Sequence, residues 1–151
     1  MNQLLGEHNC KLDEKGRLKM PSAFLRQLCG FGSFDMVINR GFDKNLNLYP
    51  KNVWEEISKE VTDLNPFDEE HRDFIRFFHF GATPITTDNA ERIMIPKVLM
   101  DWGSIKRDLV LIGLGNKIEI WSSENYAQKF NIDSKTFSAL AQKVKGEVKH
   151  G

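Results

Sequence analysis

The stretch Asp13-Glu14-Lys15-Gly16-Arg17-Leu18-Lys19-Met20-Pro21 returns as Asp88-Asn89-Ala90-Glu91-Arg92-Ile93-Met94-Ile95-Pro96, 75 residues later. Both copies read Asp, three residues, Arg, an apolar residue, and then Pro four positions after the Arg. The echo extends outward, with Gly6 matching Gly81 and Phe24 matching Leu99. At an offset of 73, Asp35-Met36-Val37-Ile38 matches Asp108-Leu109-Val110-Leu111. At 72, Leu46-Asn47-Leu48-Tyr49 matches Ile118-Glu119-Ile120-Trp121, and Trp54 matches Tyr126. A motif with ordered flanking matches is an internal duplication, so the chain is two copies of one unit of roughly 75 residues.

The motif has a physical reading. Asp13 and Lys15-Gly16 are turn chemistry, and Gly16 permits a backbone with positive φ. Arg17-Leu18-Lys19-Met20 alternates charged and apolar side chains, as a strand with one wet face does. Arg92-Ile93-Met94-Ile95 is more apolar, which suits a more deeply buried strand. Pro then ends the ladder, since it has no N–H to donate, and opens the helix that follows. Asp and Arg four residues apart are placed to form an ion pair across the turn in each copy.

The rest of the chain fits the same plan twice. Residues 1–12 read as a strand, and Ser22 to Leu28 as a short helix ending near Gly30. Phe34–Ile38 and Leu46–Tyr49 form a hairpin, and Val53, Trp54, Ile57 and Val61 share one helical face. Asn65-Pro66 reads as an N-cap and first helical position, with the helix running to about Phe80. Its phenylalanines are read as core rather than as a stacking platform for single-stranded nucleic acid. In the second copy Arg92–Ile95 is a strand and Val98–Trp102 a helix. Asp108–Gly113 and Lys117–Trp121 form the second hairpin, and Ser123 caps the next helix. Phe137, Leu140, Ala141 and Val144 mark a tail helix ending before Gly146. The division is a first repeat over 1–54, connecting helices over 55–80, a second repeat over 81–126 and a helical tail over 127–151. Neither unit offers a generous core alone, so the fold class is β-rich, an all-β or α+β body in which the copies interleave their strands into a barrel with helices packed around it.

Charge gives no general attraction to nucleic acid, because 21 basic residues balance 21 acidic ones. Locally the copies differ. Lys11 to Lys19 holds four basic residues against Asp13 and Glu14, whereas Asp88 to Lys97 holds two against two. No apolar run reaches membrane-span length, and no signal-peptide layout opens the chain. The two cysteines, Cys10 and Cys29, suit a reducing cytoplasm and read as small buried hydrophobes.

An enzyme needs a constellation that this sequence does not supply. The four histidines stand at no metal-ligand spacing, and there is neither a nucleophile elbow nor a phosphate-cradling glycine loop. No cofactor, metal, membrane or small-molecule substrate is expected. Two readings stay open on residue chemistry alone: a nucleic-acid binder, and an assembly module without nucleic acid. The two stand close: an assembly module leaves Arg17 beside Lys15 and Lys19 at a strand–turn junction unexplained, where Arg suits bidentate reading of guanine and pairing with phosphate, while the zero net charge suits assembly.

Gly6-Glu7-His8, Leu12 to Leu18 and Pro21-Ser22-Ala23-Phe24 also resemble the N-terminal signature of the MraZ proteins, bacterial transcriptional regulators associated with the division and cell-wall gene cluster. The resemblance continues through Asn39-Arg40-Gly41-Phe42-Asp43, Leu46 to Pro50, Phe77 to Ala82, Asp88 to Pro96, Val110 to Gly113 and Glu119 to Ser122, in order up to about Phe130. The chain departs from it at Glu91, where the second copy usually has Gly. The resemblance implies the swapped-hairpin barrel of AbrB-type regulators, with one chain supplying both halves. It also implies a sequence-specific regulator in the cytoplasm, associated with the nucleoid, that forms a ring-like homo-oligomer on repeated elements of double-stranded promoter DNA. Lys15, Arg17 and Lys19 are the expected DNA contacts. Asp13 orients Arg17, while Asp88 and Arg92 serve structure or assembly, because Lys15 and Lys19 have become Ala90 and Met94.

Overall fold

A computed structural model describes residues 2–150. The first copy contains β1 (Leu4–Lys11), β2 (Arg17–Lys19), α1 (Ser22–Cys29), β3 (Met36–Arg40) and β4 (Leu46–Pro50). Two helices, α2 (Lys51–Thr62) and α3 (Glu69–His79), connect the copies. The second copy runs through β5 (Thr83–Ile85), β6 (Arg92–Met94), α4 (Lys97–Trp102), β7 (Asp108–Gly115), β8 (Ile118–Ser122) and α5 (Ser123–Lys129), and α6 (Ser134–His150) follows. Pro21, Pro50 and Pro96 stand immediately before α1, α2 and α4, where a missing N–H costs nothing.

The strands of the two copies pair with each other. The larger sheet is antiparallel in the order β1-β7-β8-β4-β3-β5, and β2 pairs with β6 in a separate ribbon. Apart from the two hairpins, β3–β4 and β7–β8, every ladder joins one copy to the other. The registers obey a pseudo-twofold. Leu18 faces Ile93 in the ribbon, and Asn47 faces Glu119 in the β4–β8 ladder, each residue meeting its own counterpart in the duplication. The β1–β7 and β3–β5 ladders exchange under the same operation. A self-complementary, isologous contact between two chains has this form. Here one chain makes both sides.

One core results. Leu18 and Ile93, Met20 and Ile95, Phe24 and Leu99, Ile38 and Leu111, and Leu48 and Ile120 are matched pairs, and all lie in a single buried cluster. On the other face of the sheet, Trp54 of α2 stacks parallel on Phe78 of α3 at 5.3 Å and meets Tyr49 at 5.8 Å. Among the described residues the larger sheet keeps two edges, β1 and β5, and only the Leu12–Leu18 bridge ties it to the ribbon.

Five local expectations are corrected. The helix α3 begins at Glu69, not at Pro66, because Asp68 caps it by accepting from the His71 N–H, with Glu69 and Glu70 in the first turn. Asn65 instead accepts from the Phe67 N–H in a turn ahead of the helix. The aromatic stripe is not core. Phe78 is buried, but Phe74, Phe77 and Phe80 are exposed, and Phe67 is 91% exposed. Only Phe78 turns onto Trp54, while Phe67 and Phe80 lie beyond the helix ends. Cys29 is exposed at the end of α1, and Cys10 is half-buried. The cap of α5 is the buried Ser122, which accepts from the Asn125 N–H, rather than Ser123. Finally, α6 continues through Gly146 to His150.

Candidate nucleic-acid interface

The two motif turns have one geometry. Asp13 Oδ1 accepts the backbone N–H groups of Lys15 and Arg17, both at 2.9 Å. Asp88 Oδ1 accepts those of Ala90 and Arg92, also at 2.9 Å. The second carboxylate oxygen takes the arginine Nε–H, at 2.7 Å from Arg17 to Asp13 and 3.0 Å from Arg92 to Asp88. Asp is the shortest side chain that can serve both backbone donors and the guanidinium, which explains its place four residues before the Arg. These bonds stabilise the ionised form. The Asp13 and Asp88 carboxyls are held below the ordinary carboxylate range, chiefly by the backbone N–H of the paired arginine.

The turns differ in the residue that bends them. Gly16 has φ of 79° and Glu91 has φ of 62°, so the departure from Gly in the second copy puts an L-residue in the left-handed region. The backbone stays the same, since the Gly16 N–H bonds Asp13 O and the Glu91 N–H bonds Asp88 O, both at 3.0 Å. The conformation is also used elsewhere, because Glu91 O accepts the Met20 N–H at 2.9 Å.

From these turns the ribbon rises with Leu18 and Ile93 turned inward and buried. Alternation then sends Arg17 and Lys19 outward on β2, and Arg92 and Met94 outward on β6. Register places Arg17 opposite Met94 and Lys19 opposite Arg92. Lys15 is exposed on the first turn. One outer surface therefore gathers Lys15, Arg17, Lys19 and Arg92. Arg17 uses Nε on Asp13, and its two Nη groups have no hydrogen-bond partner among the described residues. Arg92 reaches across the copies, with Nη1 at 3.9 Å from Asp13 Oδ2 in addition to its bond to Asp88. Glu91 lines one cleft with Lys11 and Lys19 and places a carboxylate beside these cations.

The sequence reading missed two neighbours of this surface. Arg92 was separated from the first copy by 75 residues, and only the ribbon register brings it opposite Lys19. Arg107 was assigned no role, yet its carbonyl accepts the Leu12 N–H at 2.8 Å, at the base of the first turn. The duplication itself carried that signal, since a first-copy strand paired with a second-copy hairpin puts Lys11 beside Asp108. No group of three or more His, Cys, Asp or Glu side chains is arranged to hold a metal among the described residues. No helix there is long and apolar enough to cross a membrane.

Twin Asp–Arg turns on a cross-paired ribbon, with both copies of a duplication sharing one core, define a tandem-repeat protein of a single duplicated unit. The profile of the MraZ protein family matches residues 3–77 and again residues 78–146. The chain is 37% identical over 145 residues to "Transcriptional regulator MraZ" of Cytophaga hutchinsonii, covering 95% of each chain. It is 37% identical over 147 residues to the protein of that name from Christiangramia forsetii, covering 97% of this chain and 95% of the relative. Against the one from Dictyoglomus turgidum it is 36% identical over 138 residues, 91% of each. The chain belongs to the MraZ family. Its relatives are named as regulators of transcription, not as enzymes.

Proposed function

We propose that this protein is a sequence-specific, DNA-binding transcriptional regulator that reads double-stranded promoter DNA with the outer face of the β2–β6 ribbon. The observation that carries this reading is the state of Arg17. Its Nε is held by Asp13, its Nη groups are unpaired among the described residues, and Lys15 and Lys19 flank it on the same surface. A guanidinium fixed at one end loses less freedom on binding, and its free edge suits the O6 and N7 acceptors of guanine in a major groove. Lys15 and Lys19 take phosphates, which positions the ribbon without reading sequence. Arg92, tied to both Asp88 and Asp13, clamps the two turns together, and the two aspartates orient.

One ribbon per chain gives a small contact. A homo-oligomeric ring acting on repeated promoter elements multiplies it through effective concentration. The reading includes regulation of the division and cell-wall gene cluster and a cytoplasmic, nucleoid-associated location, and family membership supports both. The swapped-hairpin barrel belongs to the same reading and is supported by the cross-copy ladders and the Leu12–Leu18 bridge. The test is binding of the full chain to DNA from upstream of its own gene, against a scrambled duplex of equal length. Preference for the upstream duplex supports the reading. Equal binding to both rejects sequence-specific reading, and binding to neither leaves the assembly-module alternative.

A further inference from the structure

The duplication breaks its own symmetry at the end of β3. In the β1–β7 ladder Gly6 faces Gly113, the second-copy counterpart of Arg40. Only glycine fits there, because a Cβ on Gly113 would stand 2.7 Å from the Leu5 backbone nitrogen. Beside it, the Gln27 amide bonds both the N–H and the C=O of Leu5. The counterparts of Leu5 and Gln27, 75 residues on, are Phe80 and Trp102. The Arg40 guanidinium stacks on both of these rings, at 5.1 Å and 4.9 Å. A neutral hydrogen-bonded contact in one copy has become an aromatic box around a cation in the other.

A groove of about 410 Å³ opens at this box, lined by Arg40, Phe42, Phe74, Phe77 and Trp102. Phe42 stacks on Phe74 at 6.3 Å, and Phe42 and Phe77 are 80% and 63% exposed. Aromatic side chains so exposed mark an interaction site rather than ordinary surface. The walls are tied together, since Arg40 Nη2 donates to Phe77 O at 2.6 Å and Trp102 Nε1 donates to Gly41 O at 3.1 Å. The volume falls among small-molecule sites, roughly 300–1,000 Å³, which are lined mainly by aromatic and apolar side chains with a few polar groups.

Charge selects the ligand. Lys44 holds its ammonium over the Trp102 ring at 3.7 Å, so two cations share one indole. A ring face attracts a cation without neutralising it. Neither Arg40 nor Lys44 has a carboxylate partner among the described residues. Arg40 Nε is shut off from water and has no acceptor there either. A buried donor of a charged group is costly until an acceptor reaches it. No described acidic side chain lines the groove. Asp43 lines a neighbouring cleft with Lys129, and Asp73 of α3 is paired with Arg76 at 3.5 Å.

We propose that this groove binds a small planar anion, an aromatic or heteroaromatic ring system carrying a carboxylate, phosphate or sulfonate group. The rings lie against Phe42, Phe74 and Phe77, and the anionic group takes Arg40 and Lys44. The site belongs to the second copy's side of the fold, since Gly113, Gln27 and Leu5 supply no cation at the equivalent place. No ribbon residue lines it, so ligand binding holds whether or not the ribbon reads DNA.

The probes are anilinonaphthalene sulfonate, a planar anion that fluoresces on leaving water, and phenylnaphthylamine, its uncharged counterpart. Fluorescence titration of the full chain is expected to show saturable binding of the anion and binding of the neutral compound weaker by about 10-fold or more. Arg40→Gln should weaken the anion by about 10-fold or more and change the neutral probe little. Because Arg40 also holds Phe77 O, two further variants guard against a folding defect. Lys44→Gln and Phe42→Ser alter exposed side chains, and each should lower anion affinity with an unchanged circular dichroism spectrum. Equal affinity for the two probes overturns the site, as does anion binding that Arg40→Gln and Lys44→Gln both leave intact. The exposed α6 stripe of Phe137, Leu140, Val144 and Val148 is the competing surface for such a dye. Binding lost in a Leu140→Asp, Val144→Asp double variant would put the dye there and reject the groove. No saturable binding to the folded chain rejects it as well, whether a second copy or nothing covers the groove.

Discussion

Leu18 and Ile93 face each other in the β2–β6 ribbon, at 0% and 1% exposure, and each is the other's counterpart in the duplication. The axis relating the two copies therefore passes through a buried contact, and neither copy has a core of its own.

Unfolding should be a single event for that reason. Leu18→Ala is expected to cost about 2–5 kcal/mol, and Ile93→Ala a similar amount. Because the side chains touch, the double variant should lose less or more than the sum of the two. Urea unfolding followed at Trp54 and Trp121 gives the measurement. Coincident transitions are expected, and separate transitions for the two halves would contradict a shared core.

The turn residues make an asymmetric pair. Glu91→Gly removes an L-residue from the left-handed region and is expected to raise stability by about 1 kcal/mol, while Gly16→Ala lowers it by about 1–2 kcal/mol. A Cβ at Gly16 would meet nothing nearer than Met100 Cε at 3.6 Å, so its loss would be one of backbone conformation and not of space. Thermal midpoints of the two variants, with opposite signs, check this.

The pH dependence has a definite sign. Asp13 and Asp88 have depressed carboxyl pKa values in the folded chain, so their contribution is fully present above the unfolded value of about 3.9. It is lost as pH falls from there through the folded values. Melting temperature should be insensitive to these groups from neutral pH down to about 5 and fall below about 4. In the Asp13→Asn, Asp88→Asn double variant that acid-side fall becomes shallower. An identical slope would mean that the turns do not depend on ionised aspartates.

Arg92 should matter through the fold. Arg92→Ala removes the bond to Asp88 and the reach to Asp13, so a lower melting temperature or oligomer mass is expected, and any loss of DNA binding follows from that. Unchanged stability together with a shallower slope of log K against log salt would put Arg92 on phosphate instead.

Much of this was legible in the sequence, for physical reasons. The Asp–Arg pairs, the positive φ at Gly16 and the prolines before α1, α2 and α4 are set by residues within four positions of one another. The hairpins announced themselves by matched apolar runs around turn chemistry. What failed depended on distant partners or on close competition. Asn65 and Asp68 both offer caps, and the dipole-favoured Glu69-Glu70 decides for Asp68. The period of the phenylalanines gives a stripe but not what covers it, so Phe74 and Phe77 read as core and turned out exposed. Arg92 could be paired with Lys19 only once the ribbon register was known.

The central claim is that Arg17 reads DNA from a preset position, and fluorescence anisotropy of Arg17→Ala against the upstream duplex and a scrambled one tests it most directly. Losing a contact worth about 1–3 kcal/mol should weaken binding to the upstream duplex about 5- to 150-fold per engaged subunit and erase the preference over the scrambled duplex. The melting temperature should stay near wild type, since Leu18 and the Asp13 backbone bonds remain. A well-folded Arg17→Ala protein that keeps both its affinity and its preference would contradict the account.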